Sequence, residues 1–227
     1  MQRIATSRWA SMVLLLLTGS SSILDATVNP PGPAPEITGP KTGKPAPGMF
    51  LVARRGFLNP YFNQTVIYLI YHDLQASYGL IVNQPGTTLL SDAVPDVQDT
   101  HLEPLPVYHG GPVDPHMLVM LMRHRQASGL AFHVSGDIYA STDLQLLDEL
   151  PGKDRQGEEL RCYLGYAGWA PGQLDYELRH HYWHVVEGDP AEVFGADTGA
   201  LWDRLIGLYE SADSLAADMT GNPMHHW

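Results

Sequence analysis

The sequence predicts an α+β fold built on a mixed β-sheet. Segments of strand length that are rich in apolar, β-branched and aromatic residues outnumber segments with the apolar spacing of a helix. The strand-like segments do not alternate regularly with the helical ones, which argues against a doubly wound parallel fold. Hydrophobic residues make up 44% of the 227 residues, so residues 49–209 can form one domain around one core.

The predicted strands are spread over the whole of this domain. Residues 64–71 are apolar on both faces, as expected of a central strand that is covered on two sides. A short polar link, residues 72–76, joins this strand to the next, which predicts a hairpin at the centre of the sheet. In chain order, the predicted strands are residues 49–53, 64–71, 78–82, 117–122, 130–134, 138–140, 161–164 and 182–186.

Capping residues and apolar spacing predict several short helices. A capping box over residues 142–145 opens a helix with leucines at 144, 147 and 150. The last helix is predicted to be capped by Thr198 and to pack inward through Leu201, Leu205 and Leu208. The other predicted helical segments are residues 89–94, about ten residues that follow Pro171, and residues 190–194.

Both ends of the chain differ in composition from the domain. In residues 1–26, two arginines precede a short apolar run and a small, polar exit, which is the layout of a secretory signal cleaved after Ser20 or Ala26. This predicts a periplasmic or exported protein. The alternative is that residues 1–26 are a translated upstream segment and that the protein is cytoplasmic. Residues 27–48 are proline-rich and predict an extended linker. Residues 210–227 predict a loosely ordered tail.

The stretch from residue 161 to residue 178 organises the predicted domain. A strand is expected to end at Gly165 and a helix to begin at Pro171, where the helix dipole favours the charges of Asp175 and Glu177. Such a turn either only connects the two elements, with Trp169 filling the core, or forms one wall of a binding site. The candidate binding residues of this turn are Gly165, Tyr166, Gly168, Trp169, Gly172 and Gln173.

Two further turns contribute candidate binding residues. Asn83 and Pro85 follow a predicted strand, and Gly110, Gly111 and Pro112 form a turn whose backbone amides are not obstructed by side chains. We predict that the three turns lie next to one another and form one recognition face. The sequence around Gly110 resembles the oxyanion loop of lipases, but the chain has no G-x-S-x-G nucleophile elbow, which excludes that chemistry.

Residues that suggest catalysis or metal binding do not form a complete set. Asp175 and Glu177 are two residues apart on a predicted helix, so their carboxylates point in different directions. His180 and His184 have the spacing of two metal ligands on one helix face, but the helix is predicted to end before Tyr182. The sequence therefore predicts no catalytic residue, metal site or cofactor, and it favours a binding module over a hydrolase, a transferase or a metal-binding protein.

The formal net charge of −12 constrains the partners. An acidic surface repels a phosphate backbone, and the Arg54-Arg55 and Arg123-His124-Arg125 clusters are too small for a nucleic-acid patch. Direct nucleic-acid binding is therefore disfavoured, which leaves a protein or a small molecule as the partner. Cys162 is the only cysteine, so it forms no intrachain disulfide, and its apolar strand pattern predicts a buried, inert thiol.

These motifs together resemble the YqgE/AlgH family over residues 49–209. The resembling residues are Phe50-Leu-Val-Ala53, Asn59-Pro60-Tyr-Phe62, Thr65-Val66, Gly79-Leu-Ile-Val-Asn83 with Pro85, Gly110-Gly-Pro-Val113, Asp137-Ile-Tyr139, Leu164-Gly-Tyr-Ala-Gly-Trp169, Gly172-Gln-Leu174, Glu177 and Trp183. The resemblance implies a mixed, strongly bent sheet that forms a pseudo-barrel with flanking helices. It implies no established activity. Genetics has linked some members to the regulation of alginate production, so a regulatory role is the expectation.

The chain departs from this family in three places. Family members usually begin near the position of Met49 and look cytoplasmic, so residues 1–48 bear directly on the compartment. The run Arg54-Arg55-Gly56 is more basic than the usual start of its turn. Ala76-Ser77-Tyr78 replaces a smaller sequence, and the larger side chains are expected to fill space near any pocket.

Overall fold

The computed structural model describes residues 43–94, 105–123, 129–149, 159–195 and 197–220. The strands in these ranges are β1 (Met49–Ala53), β2 (Val66–His72), β3 (Ser77–Ile81), β4 (Pro85–Leu89), β5 (Pro106–His109), β6 (Val113–Arg123), β7 (Phe132–Ser135), β8 (Ile138–Ser141), β9 (Glu159–Trp169) and β10 (Trp183–Glu187). The helices are α1 (Leu90–Ala93), α2 (Leu146–Glu149), α3 (Gln173–Arg179), α4 (Pro190–Val193) and α5 (Leu201–Thr220). Among the residues described, no helix is both long and apolar enough to cross a membrane.

The strands form a 10-stranded mixed sheet whose main path is β10-β1-β2-β3-β9-β6-β8-β7. Strand β9 lies at its centre. Antiparallel β6 pairs along one side of β9, and the other side pairs with parallel β5 and antiparallel β3. The sheet is strongly curled into a half-barrel, with a few helices beside it. The predicted α+β class with a bent, mixed sheet is confirmed.

The two faces of β6 are buried against different groups of residues. Val119 and Leu121 belong to the main core, while Met120 and Met122 belong to a second, smaller cluster. This division follows from the strand geometry, in which successive side chains point to opposite faces. Cys162 of β9 lies in the second cluster and is buried, as the sequence predicts.

Most of the strands lie where the sequence predicts them. Strands β2 and β3 pair antiparallel, with Ile67 opposite Ile81, which confirms the predicted central hairpin. The predicted strands at residues 117–122, 130–134 and 138–140 correspond to β6, β7 and β8, although β6 begins earlier, at Val113. Helices α1 and α4 are also confirmed, and residue 150 of the predicted middle helix lies outside the described residues.

Strand β9 corrects the prediction that a strand ends at Gly165. It continues to Trp169, because Gly165 adopts a φ of +71° that lets the strand bend without stopping. The register of β6 against β9 shifts between Val113 and Leu118, as expected of a bulge or irregularity. Helix α3 therefore begins at Gln173 instead of Pro171 and has 7 residues instead of about ten.

Helix α5 corrects the predicted inward face of the last helix. Leu201 is buried as predicted, but Leu208 is 58% exposed, and Trp202 and Ile206 are buried in its place. The buried stripe thus follows the i, i+1, i+4, i+5 pattern of a wide apolar helix face. Thr198 contributes only its backbone oxygen, which accepts a hydrogen bond from Leu201 N at 3.0 Å.

Candidate functional site

The three turns predicted from the sequence lie next to one another. The amide of Gly110 donates to Leu164 O at 2.8 Å, and the oxygen of Gly110 accepts from Ile81 N at 2.9 Å. His109 N donates to Gln84 O at 3.1 Å. Segments that are remote in the sequence therefore meet through backbone hydrogen bonds.

Three glycines allow this close approach, and we call Gly110, Gly111 and Gly165 the glycine junction. A Cβ atom on Gly110 would lie less than 3.0 Å from the oxygen of Gly165, and one on Gly111 would lie as close to the backbone of Tyr166. A Cβ atom on Gly165 would in turn meet the oxygen of Gly111. The glycines are thus needed for backbone packing, and the amide of Gly110 is occupied rather than available to a ligand.

The other candidate binding residues of the Asn83 turn and of the Gly110 turn differ in their burial. Asn83 is buried, and its side chain accepts from Val66 N at 2.8 Å and donates to Gln64 O at 2.9 Å. These bonds tie the start of β2 to the end of β3. Pro85 and Pro112 are exposed.

Tyr166 and Gly168 line the same stretch of β9. Tyr166 is buried and meets the ring of Tyr78 edge-on, with the ring centroids 5.6 Å apart. A Cβ atom on Gly168 would lie 3.2 Å from the ring of Tyr166, so the small residue leaves room for that ring.

Trp169, Gln173 and Glu177 form a second arrangement around one carboxylate. Oε2 of Glu177 accepts from Nε1 of Trp169 and from Nε1 of Trp183, both at 2.8 Å. Oε1 of the same carboxylate accepts from Nε2 of Gln173 at 3.1 Å, while Gln173 accepts from Ala170 N at 3.1 Å. Glu177 therefore fixes β9, α3 and β10 relative to one another.

This role of Glu177 differs from both roles considered from the sequence, a charge at the helix N-terminus and one of two paired carboxylates. The i, i+4 spacing of Gln173 and Glu177 was the available signal, because side chains at that spacing meet on a helix. Asp175 is exposed and does not converge with Glu177 on a cleft. Gly172 is exposed and supplies the left-handed residue, with φ +73°, before α3.

Aromatic rings extend from Trp169 and Trp183 toward the surface. Phe62 stacks on Trp169 with the centroids 6.4 Å apart, and Phe57 meets Trp183 edge-on at 5.2 Å. Phe57 also stacks on Tyr182, with centroids 5.1 Å apart and an interplanar angle of 13°. Glu177 fixes the inner rings, Trp169 and Trp183. Packing against these rings gives the outer rings, Phe57 and Tyr182, a rigid support.

A cleft of about 550 Å³ opens beside these outer rings. It lies between the loop that follows β1 and the turn that joins α3 to β10, and Arg54 N donates to Tyr182 O at 3.0 Å to tie the two together. We call it the Arg54 cleft. Its lining residues are Arg54, Arg55, Gly56, Phe57, Leu58, Asn59, His180, His181 and Tyr182.

The Arg54 cleft is basic in an acidic protein. Arg55 forms an ion pair with Glu210. Arg54 has no ion pair with any carboxylate among the described residues, and its Nε is buried without a hydrogen-bond partner there. The described residues that line it include no carboxylate, serine, threonine or cysteine. The groups that it offers a ligand are cationic, donating and aromatic.

The turn between α3 and β10 has an unusual backbone. His181 adopts a left-handed φ of +58°, a conformation that is uncommon for residues with a Cβ atom. His180 donates from Nδ1 to Tyr176 O at 2.8 Å, and its ring stacks on Tyr176 with centroids 3.9 Å apart. Both histidines therefore have defined positions at the edge of the cleft.

His184 lies beyond the cleft, on β10. Its ring stacks on Tyr209 with centroids 4.3 Å apart. Burial lowers the pKa of His184 to about 4, helped by the charges of Arg54 and His181 and opposed by Glu210. His180 follows the last residue of α3, so the two histidines do not share a helix face, and no metal-binding group of three or more residues is found in the described ranges.

The sequence contained partial signals for the Arg54 cleft. Arg54 and Arg55 were recognised as unusually basic, but they were judged only as a nucleic-acid patch. His180 was considered only as a metal ligand together with His184. The cleft forms because residues 54 and 182 meet, which depends on the pairing of β1 with β10.

Fold and site together define an α+β domain whose curled sheet carries a basic, aromatic cleft beside its β10 edge. The fold of this domain occurs in a recognised group of bacterial proteins. The chain belongs to the AlgH-like family (DUF179), whose family model matches residues 50–212. The resemblance to the YqgE/AlgH family is thereby confirmed.

Individual relatives agree with this assignment. A UPF0301 protein of Vibrio cholerae is 33% identical over 165 residues, which cover 69% of this chain and 88% of the relative. The solution structure of the AlgH protein from Pseudomonas aeruginosa matches with a TM-score of 0.57 at 26% identity, covering 82% of this chain and 100% of that one. A crystal structure of a protein from Corynebacterium diphtheriae, with a TM-score of 0.59 at 24% identity over 73% of this chain and 87% of that one, shares the fold.

Proposed function

We propose that this protein is a non-enzymatic binding module with a regulatory role, and that it binds its partner in the Arg54 cleft. The observation that carries the proposal is the composition of that cleft. Arginine, histidine and aromatic side chains converge there, and the described lining has no hydroxyl or thiol nucleophile and no carboxylate to orient a histidine, so it suits recognition better than nucleophilic chemistry.

The cleft replaces the glycine junction as the preferred site. The amide and the oxygen of Gly110 are both engaged in backbone hydrogen bonds, and Gly165 packs directly on Gly111. A ligand at the junction would have to displace these contacts. The Arg54 cleft, in contrast, is open and about 550 Å³ in volume, within the range of small-molecule sites.

The proposal is tested by screening metabolites for thermal stabilisation of the full chain. We expect at least one compound to raise the Tm of the natural protein and to lose that effect in Arg54→Gln. The matched control is Arg123→Gln, since Arg123 is a partly exposed arginine that pairs with Asp137 and Glu159 away from the cleft. Binding that Arg54→Gln leaves intact, or measurable turnover of any compound, would overturn the proposal.

We also propose that the protein is exported. The family model begins at residue 50, so the signal-like residues 1–26 and the proline-rich residues 27–48 precede the family domain. The expected result is a mature chain that begins after Ser20 or Ala26 in the periplasmic or extracellular fraction. Intact-mass measurement of protein from fractionated cells checks this, and a full-length chain in the cytoplasm would refute it.

A further inference from the structure

We infer that the Arg54 cleft selects a small organic anion in which a phosphate or carboxylate group is attached to a flat apolar ring. The inference rests on the proposed binding function and adds the chemical class of the ligand. Three features of the cleft support it, namely the charge of Arg54, the unsatisfied donor on the same side chain, and the aromatic part of the lining.

The charge of the cleft has the opposite sign to the charge of the whole chain. The formal net charge is −12, yet Arg54 and Arg55 both line this one opening. Glu210 neutralises Arg55, whereas Arg54 has no ion pair with a described carboxylate. One net positive charge therefore faces a cleft whose lining contains no acid, and an anion would complement it.

The buried Nε of Arg54 provides a second, separate argument. It has no hydrogen-bond partner among the described residues. A buried charged donor without an acceptor is costly, so a small rotation of the guanidinium toward a ligand oxygen in the cleft would remove an existing penalty. A guanidinium offers a planar pair of donors that matches the oxygens of phosphate and carboxylate.

The aromatic part of the lining suits a flat apolar group. Tyr182 is 36% exposed although Phe57 stacks on it, and Leu58 is 93% exposed at the mouth. An aromatic side chain with rigid packing behind it presents a surface for a ring at little entropic cost. The volume of about 550 Å³ accommodates a ring together with its anionic group.

The backbone of His181 allows an informative variant. Because its φ is +58°, His181→Gly removes the imidazole from the cleft and relieves the backbone at the same position. Gln64→Gly is the matched control, since Gln64 has a φ of +56° in the loop between β1 and β2 and is not among the residues that line the cleft. Loss of binding in the first variant alone cannot then be attributed to unfolding.

Isothermal titration of the full chain with a matched series of probes tests the inference. The anionic probes are phenyl phosphate and benzoate, and the comparison probes are benzyl alcohol, acetate and inorganic phosphate. We expect phenyl phosphate or benzoate to bind about tenfold more tightly than each comparison probe, and added salt to weaken that binding. The two anionic arms show whether the cleft prefers phosphate or carboxylate.

The variants locate the binding. Arg54→Gln is expected to weaken the better anionic probe about tenfold or more, and His181→Gly to weaken it without lowering the Tm, while Gln64→Gly leaves it unchanged. Equal binding of benzyl alcohol, or no binding of either ring anion, would overturn the inference. A metabolite of another class whose stabilising effect depends on Arg54 would leave the proposed function standing, whereas no Arg54-dependent binder of any class would end both.

Discussion

The carboxylate of Glu177 holds together two tryptophans from different strands. Each indole N–H donates to the same oxygen at 2.8 Å, and both rings are buried. Replacement by alanine leaves two buried donors without an acceptor, and each such donor costs about 1–3 kcal/mol. We therefore expect Glu177→Ala to lower the free energy of unfolding by roughly 2–4 kcal/mol, measured by urea denaturation followed by tryptophan fluorescence.

Two further variants control this experiment. Glu177→Gln keeps one acceptor oxygen and is expected to lose only about 1 kcal/mol. Asp175→Ala removes an exposed carboxylate from the same helix and should stay within about 0.5 kcal/mol of the natural protein. If the alanine variants at Glu177 and Asp175 proved equally stable, the carboxylate would not have the structural role described.

His184 gives the stability a defined dependence on pH. Its pKa is about 4 in the folded state, because of burial and the charge of Arg54, and about 6.5 in the unfolded chain. Between these values the unfolded state binds more protons, so this group lowers the stability as pH falls from about 6.5 toward 4 and has no effect above that window.

Urea denaturation at several pH values checks the prediction for His184. We expect His184→Gln to flatten the loss of stability between about pH 6.5 and 4, whereas His116→Gln, at an exposed position, leaves the profile unchanged. The charges of Arg54, His181 and Glu210 remain in both variants, so a difference between them isolates the imidazole of His184. If His184→Gln had the same pH dependence of stability as the natural protein, the lowered pKa of His184 would be contradicted.

Among the elements, β9 shows how far local sequence patterns predict the fold. Strands β1, β2 and β3 were predictable because their apolar runs are continuous and bounded by polar turns. Strand β9 was not, because a glycine in an apolar run marks a turn or a bulge equally well. Pairing with distant segments decides between them at Gly165, since Tyr166 lies opposite Val113 of β6 and Ala167 lies opposite Gly79 of β3.

The glycine junction yields a prediction at the same scale. A Cβ atom on Gly111 would lie less than 3.0 Å from the backbone of Tyr166, where no flexible side chain can move away. We expect Gly111→Ala to cost about 3 kcal/mol or more of stability in thermal or urea denaturation. If Gly111→Ala were as stable as the natural protein, β9 would not pack on the turn that contains Gly111 as described.

A glycine in helix α5 provides a control in which the change in stability is expected to have the opposite sign. Gly207 lies in this helix, and a Cβ atom there would meet nothing within 4 Å. Gly207→Ala should therefore stabilise the protein by about 0.5–1 kcal/mol, since alanine has the higher helix propensity. A glycine-to-alanine substitution is thus expected to stabilise α5 at residue 207 and to disrupt the glycine junction at residue 111.

For the molecule as a whole, the sequence predicted the fold class better than the location of the proposed site. Fold class follows from the number and order of strand-like runs, which composition reveals. The Arg54 cleft depends on the edge pairing of β1 with β10, which places residue 54 beside residue 182. Polar loops lack a periodic pattern that would signal this contact in the sequence.

The net charge of −12 leads to the last prediction. A regulator that binds DNA directly must neutralise several phosphates, and each neutralised phosphate adds to the salt dependence of binding. The Arg54 cleft offers Arg54 and an Arg55 already paired with Glu210, too few to offset the repulsion from the rest of the surface. At about 150 mM salt we expect no increase in the fluorescence anisotropy of a labelled DNA duplex at micromolar protein, with a basic DNA-binding protein as the positive control. A saturable increase that weakens steeply with salt would contradict this prediction, and the regulatory role would then act on nucleic acid and not through a small anion.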